Sequence, residues 1–241
     1  DFPISRSYIA MLSETGATPV VQSKWFATVV VESPDSTVAE QLQQLAIVDS
    51  VKWIWKGNLR VPAEEKREDR FVSEDEPLHN EYGYSYKQIK MLNGTKLHEA
   101  GFRGEGMRVA VIDAGFMNAD RVSAFDSLRL LGTHNVVFPG KSVFVGDDHG
   151  TKVLSCLAAD IPGVMVGTAP KASYLLLKSE DSDSEYPVEE DYWTAAVEYA
   201  DSAGVDVISS SLGYFAFDTD ELSYDQDALD GRTAMISRAA N

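Results

Sequence analysis

From residue 78 onward, short strand-like, mostly apolar runs alternate with longer stretches that are apolar on one helical face. Val109–Ile112 is apolar at every position, and Ala172–Leu177 and Val205–Ile208 are two further strand-like runs. A strand must be apolar throughout when it is buried on both faces, as in a parallel sheet covered by helices. Between and after these runs, Thr151–Ala159, Tyr192–Ser202 and Thr233–Ala240 have helical character. Ala196, Val197 and Ala200 recur at helical spacing, and Gly204 is placed to end their helix. The alternation predicts an α/β fold with a doubly wound, mainly parallel sheet. In such sheets ligands gather at the carboxyl ends of the strands. Asp113 and Ser211 both fall there.

The front of the chain, residues 1–61, reads as a small α+β unit. Lys24–Glu32 is rich in aromatic and β-branched residues and predicts a strand, which Ser33-Pro34-Asp35 breaks. Thr37 and Glu40 have capping-box spacing, and Val38, Leu42 and Leu45 follow on one helical face. Val48–Trp55 returns to strand character, and a helix is expected around Ser7–Glu14. Residues 62–77 are charged, poor in apolar side chains and bracketed by Pro62 and Pro77, which makes them a linker. The second domain is then 78–241.

At 44% hydrophobic and 24% charged, the composition supports a packed core. No window reaches the ~18 consecutive apolar residues of a membrane span. The first residues lack the basic start and apolar stretch of a signal peptide. The net charge of −17 is concentrated at the end, where residues 178–241 carry 16 acidic and 3 basic side chains. A field of that sign repels phosphate backbones and argues against nucleic-acid binding. It is read as a solvated surface, or as a cleft rim favouring basic substrates or cations. Cys156 is the single cysteine, and its neighbours Leu154 and Leu157 predict a buried structural thiol. Gly101-x-x-Gly104-x-Gly106 precedes its strand, whereas a dinucleotide fingerprint follows one. Asn93-Gly94-Thr95 is read as a turn.

Two residues carry chemistry by their settings. Asp113 closes the run Val109-Ala110-Val111-Ile112, where an ionised carboxylate needs a partner. His149 opens the stretch Asp148-His149-Gly150-Thr151-Lys152-Val153-Leu154 at the mouth of a helix, followed by a glycine that lets another segment approach. Taken singly, each has an ordinary structural explanation.

Their joint context resembles the subtilisin-like serine proteases. Tyr82–Phe116 resembles the start of the mature subtilase domain through its Asp motif, and Asp148–Ala158 resembles the His motif with its helix. Gly167–Ala172 resembles the segment leading into the next strand. Gly204–Gly213 (GVDVISSSLG) resembles the strand whose Ser-Leu-Gly end pairs with substrate backbone. The resemblance implies that Asp113 orients His149 and that His149 acts as general base, then general acid. It implies that Ser211, Leu212 and Gly213 offer backbone groups to an extended peptide. Residues Ser182–Glu185 would form the opposite wall, with Asp183 and Ser184 in substrate contact and Asp183 and Glu185 favouring basic side chains. Residues 1–61 are similar in shape and position to a subtilase propeptide, with processing expected near Pro77-Leu78.

The departures are as informative. The family's nucleophile stands in a Gly-Thr-Ser-Met-Ala helix start. Gly-Thr occurs here at 94–95, 132–133, 150–151 and 167–168, never followed by serine. Nucleophile and oxyanion Asn are therefore expected beyond residue 241, in a C-terminal remainder present as a second chain or a missing segment. No cofactor is expected for the chemistry. A structural calcium is possible, but Asp160-Ile161-Pro162-Gly163, where the family's calcium loop would fall, is short and poor in oxygen ligands. The expected function is hydrolysis of polypeptides by a secreted bacterial serine endopeptidase, with this chain inactive alone. The rival is a degenerate subtilase acting as a peptide-binding or inhibitory module.

Overall fold

The computed structural model describes residues 2–57 and 80–241. The linker expected at 62–77 lies outside the described residues. The chain forms two compact units, one of residues 1–60, 183–199 and 213–241, the other of 61–182 and 200–212.

In the first unit, α1 (Arg6–Glu14) precedes the antiparallel pair β1 (Thr18–Ser23) and β2 (Thr28–Glu32), and α2 (Val38–Gln43) follows. Leu12, Ala17, Val38 and Leu42 form its buried core, against Ile9, Val29 and Val31. The single strand expected over Lys24–Glu32 is instead a tight turn and a strand. Ala27 adopts a positive φ of 53° at that turn. The turn is held by Glu198, a buried carboxylate that accepts from Ser23 Oγ at 2.5 Å, Lys24 N–H at 3.1 Å and Trp25 N–H at 3.2 Å. The capping box at Thr37 does not form. The Thr37 side chain makes no cap bond to the helix, and its hydroxyl and N–H both donate to Asp35 Oδ1 at 2.9 Å. Val48–Trp55 forms no strand; Ile54 accepts one backbone bond, from Val188 N–H at 3.3 Å.

In the second unit, α3 (Tyr86–Met91) and α4 (Gly94–Glu99) lead into β3 (Arg108–Asp113) and β4 (Arg129–Asn135). Helix α5 (His149–Ala158), the short antiparallel pair β5 (Asp160–Ile161) and β6 (Met165–Val166), and β7 (Ser173–Lys178) come next. Helix α6 (Val188–Ser202), whose residues up to 199 belong to the first unit, precedes β8 (Val207–Ser210) of the second. Four strands make one parallel sheet in the order β4-β7-β3-β8. Val109, Val111, Tyr174 and Leu176 face Leu154 and Ala158 of α5. The alternate positions Ala110, Ile112, Leu175 and Leu177 are buried as well. Both faces of β3 and β7 are thus covered, as their uninterrupted apolar runs require. The fold is α/β with a parallel sheet, as read from the sequence.

Three features of this unit depart from that reading. Strand β4 was not anticipated, because Leu130 and Leu131 are exposed and Gly132 interrupts the run. β8 starts two residues later than expected and is not buried. It has one strand neighbour among the described residues, and Val207 and Ile208 are 50% and 37% exposed. Cys156 is exposed. Helix α5 turns Leu154 and Ala158 inward, and the Cys156 sulfur points to the other face, donating to the Lys152 carbonyl at 3.6 Å.

Helix α6 runs four residues further back than expected. Gly204 follows it with φ 69°, a left-handed conformation in which glycine carries no penalty. In the first unit its opening turn holds Glu190, fully buried, which accepts from Tyr224 Oη at 2.5 Å and from Ile236 N–H at 3.1 Å. Ile236 lies in the short closing helix α7 (Met235–Ala239).

Candidate active site

Asp113 ends β3 at the carboxyl edge of the sheet and is completely buried. Its Oδ1 accepts from Ala114 N–H at 2.8 Å and from His149 Nδ1 at 2.7 Å. Oδ2, also buried, has no hydrogen-bond partner among the described residues. Burial pushes the Asp113 carboxyl above its ordinary range, against the pull of the His149 bond and the Ala114 N–H. The same bond raises the His149 imidazole, because a carboxylate at Nδ1 favours the charged ring. The His149 side chain is half exposed. With Nδ1–H committed to Asp113, Nε2 is the basic nitrogen.

Several local features bring the two residues together. Asp147 Oδ1 accepts the His149 backbone N–H at 2.7 Å, satisfying a donor at the start of α5. Thr151 Oγ1 donates to the Met117 carbonyl at 2.9 Å, tying the helix to the loop after β3. Gly150 permits the close approach. A Cβ there would stand 2.4 Å from the Gly115 carbonyl oxygen and 2.9 Å from both Asp113 Cβ and the Phe116 ring. No side chain fits in that space.

Ser211 and Leu212 follow β8, whose Ser210 lies beside Ile112 in parallel register. Ser211 therefore stands at the same sheet edge as Asp113. Gly213, Asp183 and Ser184 belong to the first unit. In that unit Glu185 and Asp218 exchange backbone contacts, with Glu185 N–H on Asp218 Oδ2 at 3.1 Å and Asp218 N–H on the Glu185 carbonyl at 2.9 Å. Burial, with Asp218 nearby, raises the Glu185 carboxyl. At the expected calcium loop, Asp160 Oδ2 is engaged by Lys171 Nζ at 2.5 Å and Ser127 Oγ at 3.3 Å. Among the described residues, no group of three or more His, Cys, Asp or Glu is placed to hold a metal ion.

Two participants escaped the sequence reading. Asp147 could have been found, since an aspartate just before a helix is a common N-terminal partner. Lys178 could not, because a lysine closing an apolar run gives no sign of burial.

A buried aspartate at the end of a central parallel strand is bonded to a half-exposed histidine opening the next helix, an arrangement in which a carboxylate can hold an imidazole in one tautomer and leave its second nitrogen basic. Residues 1–70 match the peptidase S8 propeptide domain of Bacteroidota. Subtilisin E of Bacillus subtilis is 32% identical over 147 residues, covering 59% of this chain and 36% of the relative. The major intracellular serine protease of the same organism is 31% identical over 133 residues, 52% of this chain and 40% of the relative. The crystal structure of fervidolysin from Fervidobacterium pennivorans superposes with a TM-score of 0.58 at 15% identity, covering 98% of this chain and 36% of that one, and shows likeness of fold.

The chain is thus similar to the subtilisin-like serine proteases, with a propeptide-like stretch followed by a stretch that matches part of their length. The first 70 residues are similar to the S8 propeptides represented in Bacteroidota. The chain spans 36% to 40% of the length of these curated relatives.

Proposed function

We propose that the chain supplies the acid, the base and a substrate-binding edge of a serine endopeptidase, while the nucleophilic Ser and the oxyanion Asn come from sequence outside these 241 residues. The observation that carries this is the 2.7 Å bond between Asp113 Oδ1 and His149 Nδ1 at the carboxyl edge of the sheet. His149 Nε2 takes the proton of the attacking serine, and Asp113 stabilises the imidazolium that forms. His149 then returns the proton to the leaving amine. The backbone of Ser211–Gly213 pairs with an extended polypeptide, and Asp183 and Ser184 are further substrate-binding residues. The chemistry needs no cofactor. Residues 1–61 act as the propeptide of a zymogen and 62–77 as its linker, in a secreted bacterial enzyme. No helix among the described residues is long and apolar enough to cross a membrane.

A fluorophosphonate probe tests the division of labour. The isolated 241-residue chain is expected to stay unlabelled. The chain extended by its downstream coding sequence is expected to label, and a His149→Ala variant of that extended protein to lose labelling. Labelling of the isolated chain would show that the nucleophile lies within it. An extended protein that neither labels nor cleaves casein, yet binds peptides, would make this a degenerate binding module.

A further inference from the structure

Lys178 is the last residue of β7, in parallel register with Asp113 on one side and Asn135 of β4 on the other. It is 5% exposed, although an ammonium taken out of water is costly unless its protons meet acceptors. Its Nζ donates to the carbonyl oxygen of Ala114, the residue after Asp113. The next residue, Ser179, donates its N–H to the Asp113 carbonyl at 3.1 Å. Nothing in the proton transfers described above uses this lysine, and the preceding Leu177 shows that an apolar side chain suits the strand.

We propose that Lys178 is a positioning residue for the acid–base pair: its ammonium fixes the Ala114 carbonyl and, through it, the turn that presents Asp113 Oδ1 to His149. Three contacts make the pair sensitive to that turn. Ala114 N–H, on the peptide just before the held carbonyl, is one of the two donors on Oδ1. The Gly115 carbonyl, one residue on, is the surface on which Gly150 of α5 rests. Oδ2 has no partner of its own, so the orientation of the carboxylate depends on Oδ1 and on the backbone behind it. A turn that rotates would move the acceptor and the helix bearing the base together.

The inference rests on Asp113 and His149 being the acid–base pair, and its test needs no proteolysis, so it is decided whether or not the complete protein cleaves peptides. In the ¹⁵N-labelled 241-residue chain, the His149 imidazole is titrated by NMR in wild type and in Lys178→Met. Wild type is expected to titrate above the ordinary 6.5, with an Nδ1–H resonance protected by Asp113. Lys178→Met is expected to shift the midpoint down by about one unit and to lose that resonance, with far-UV circular dichroism unchanged. Removal of a positive charge alone acts in the opposite direction and raises an imidazole pKa. A rise, or an unchanged midpoint with Nδ1–H retained, overturns the proposal. So does a lower Tm with His149 unaffected, which marks a packing role only. Should the Met variant fail to fold, Lys178→Gln, polar but too short to reach the carbonyl, is read by the same outcomes.

Discussion

At the scale of single residues, one oxygen carries the site. Asp113 Oδ1 takes both the Ala114 N–H and the His149 ring, and the completely buried carboxylate has no water to compensate for losing either. Asp113→Asn keeps the volume and removes the charge. The His149 pKa should then fall toward its ordinary value. On the proposed function, kcat of the protein extended by its downstream sequence should drop by about 10⁴-fold, the scale seen when a triad loses its orienting carboxylate. The proposed role of His149 as base requires it neutral, so on that proposal kcat/KM should rise with pH through the raised His149 pKa, and in the Asn variant through a lower one. A pH–rate profile of both proteins checks the order. Asp113 and His149 were legible because each sits at a change of pattern, one closing an apolar run and the other opening a helix. Lys178 also closes an apolar run, but its burial comes from two neighbouring strands, Asp113 and Asn135, that are distant in sequence.

Elements show the same division. Helix α5 has local signals throughout, and its one tertiary demand, a residue without a side chain at 150, is visible as a glycine. Gly150→Ala sets two effects against each other. Alanine gains about 1 kcal/mol of helix propensity. Its Cβ would stand 2.4 Å from the Gly115 carbonyl, well inside contact, and overpacking against backbone costs about 1–3 kcal/mol or more. The clash should win, lowering Tm and weakening the Asp113–His149 bond, which thermal melts and the His149 titration would register together. The β1–β2 turn was illegible for the opposite reason. Lys24, Trp25 and Phe26 have the composition of a strand, and what bends them is the carboxylate of Glu198, far along the chain on another element.

For the molecule as a whole, the fold class was legible and the grouping of segments was not. Residues 183–199 and 213–241 form a compact unit with 1–60, an arrangement no local pattern encodes. That unit has its own pH dependence. Burial, with Glu190 beside it, pushes Asp191 up to about 7 from its ordinary 3.8. A carboxyl raised on folding lends stability that is full below about 4 and is lost as pH climbs through about 7. The change is a few kcal/mol at most, at about 1.4 kcal/mol for each pH unit between the two values. Tm should therefore decline from pH 5 to pH 8, with a shallower decline in Asp191→Asn. Differential scanning calorimetry across that range would expose an equal slope in both proteins, and that would acquit Asp191. The outer strand of the four-stranded sheet has a consequence for handling. Among the described residues β8 has a sheet partner on one side only, and Val207 and Ile208 stand half exposed along it. Such a margin recruits other polypeptides as extra ribbons. Concentrated solutions of the chain should turn cloudy with time, and Val207→Lys, which places a charge on that margin, should keep them clear by light scattering.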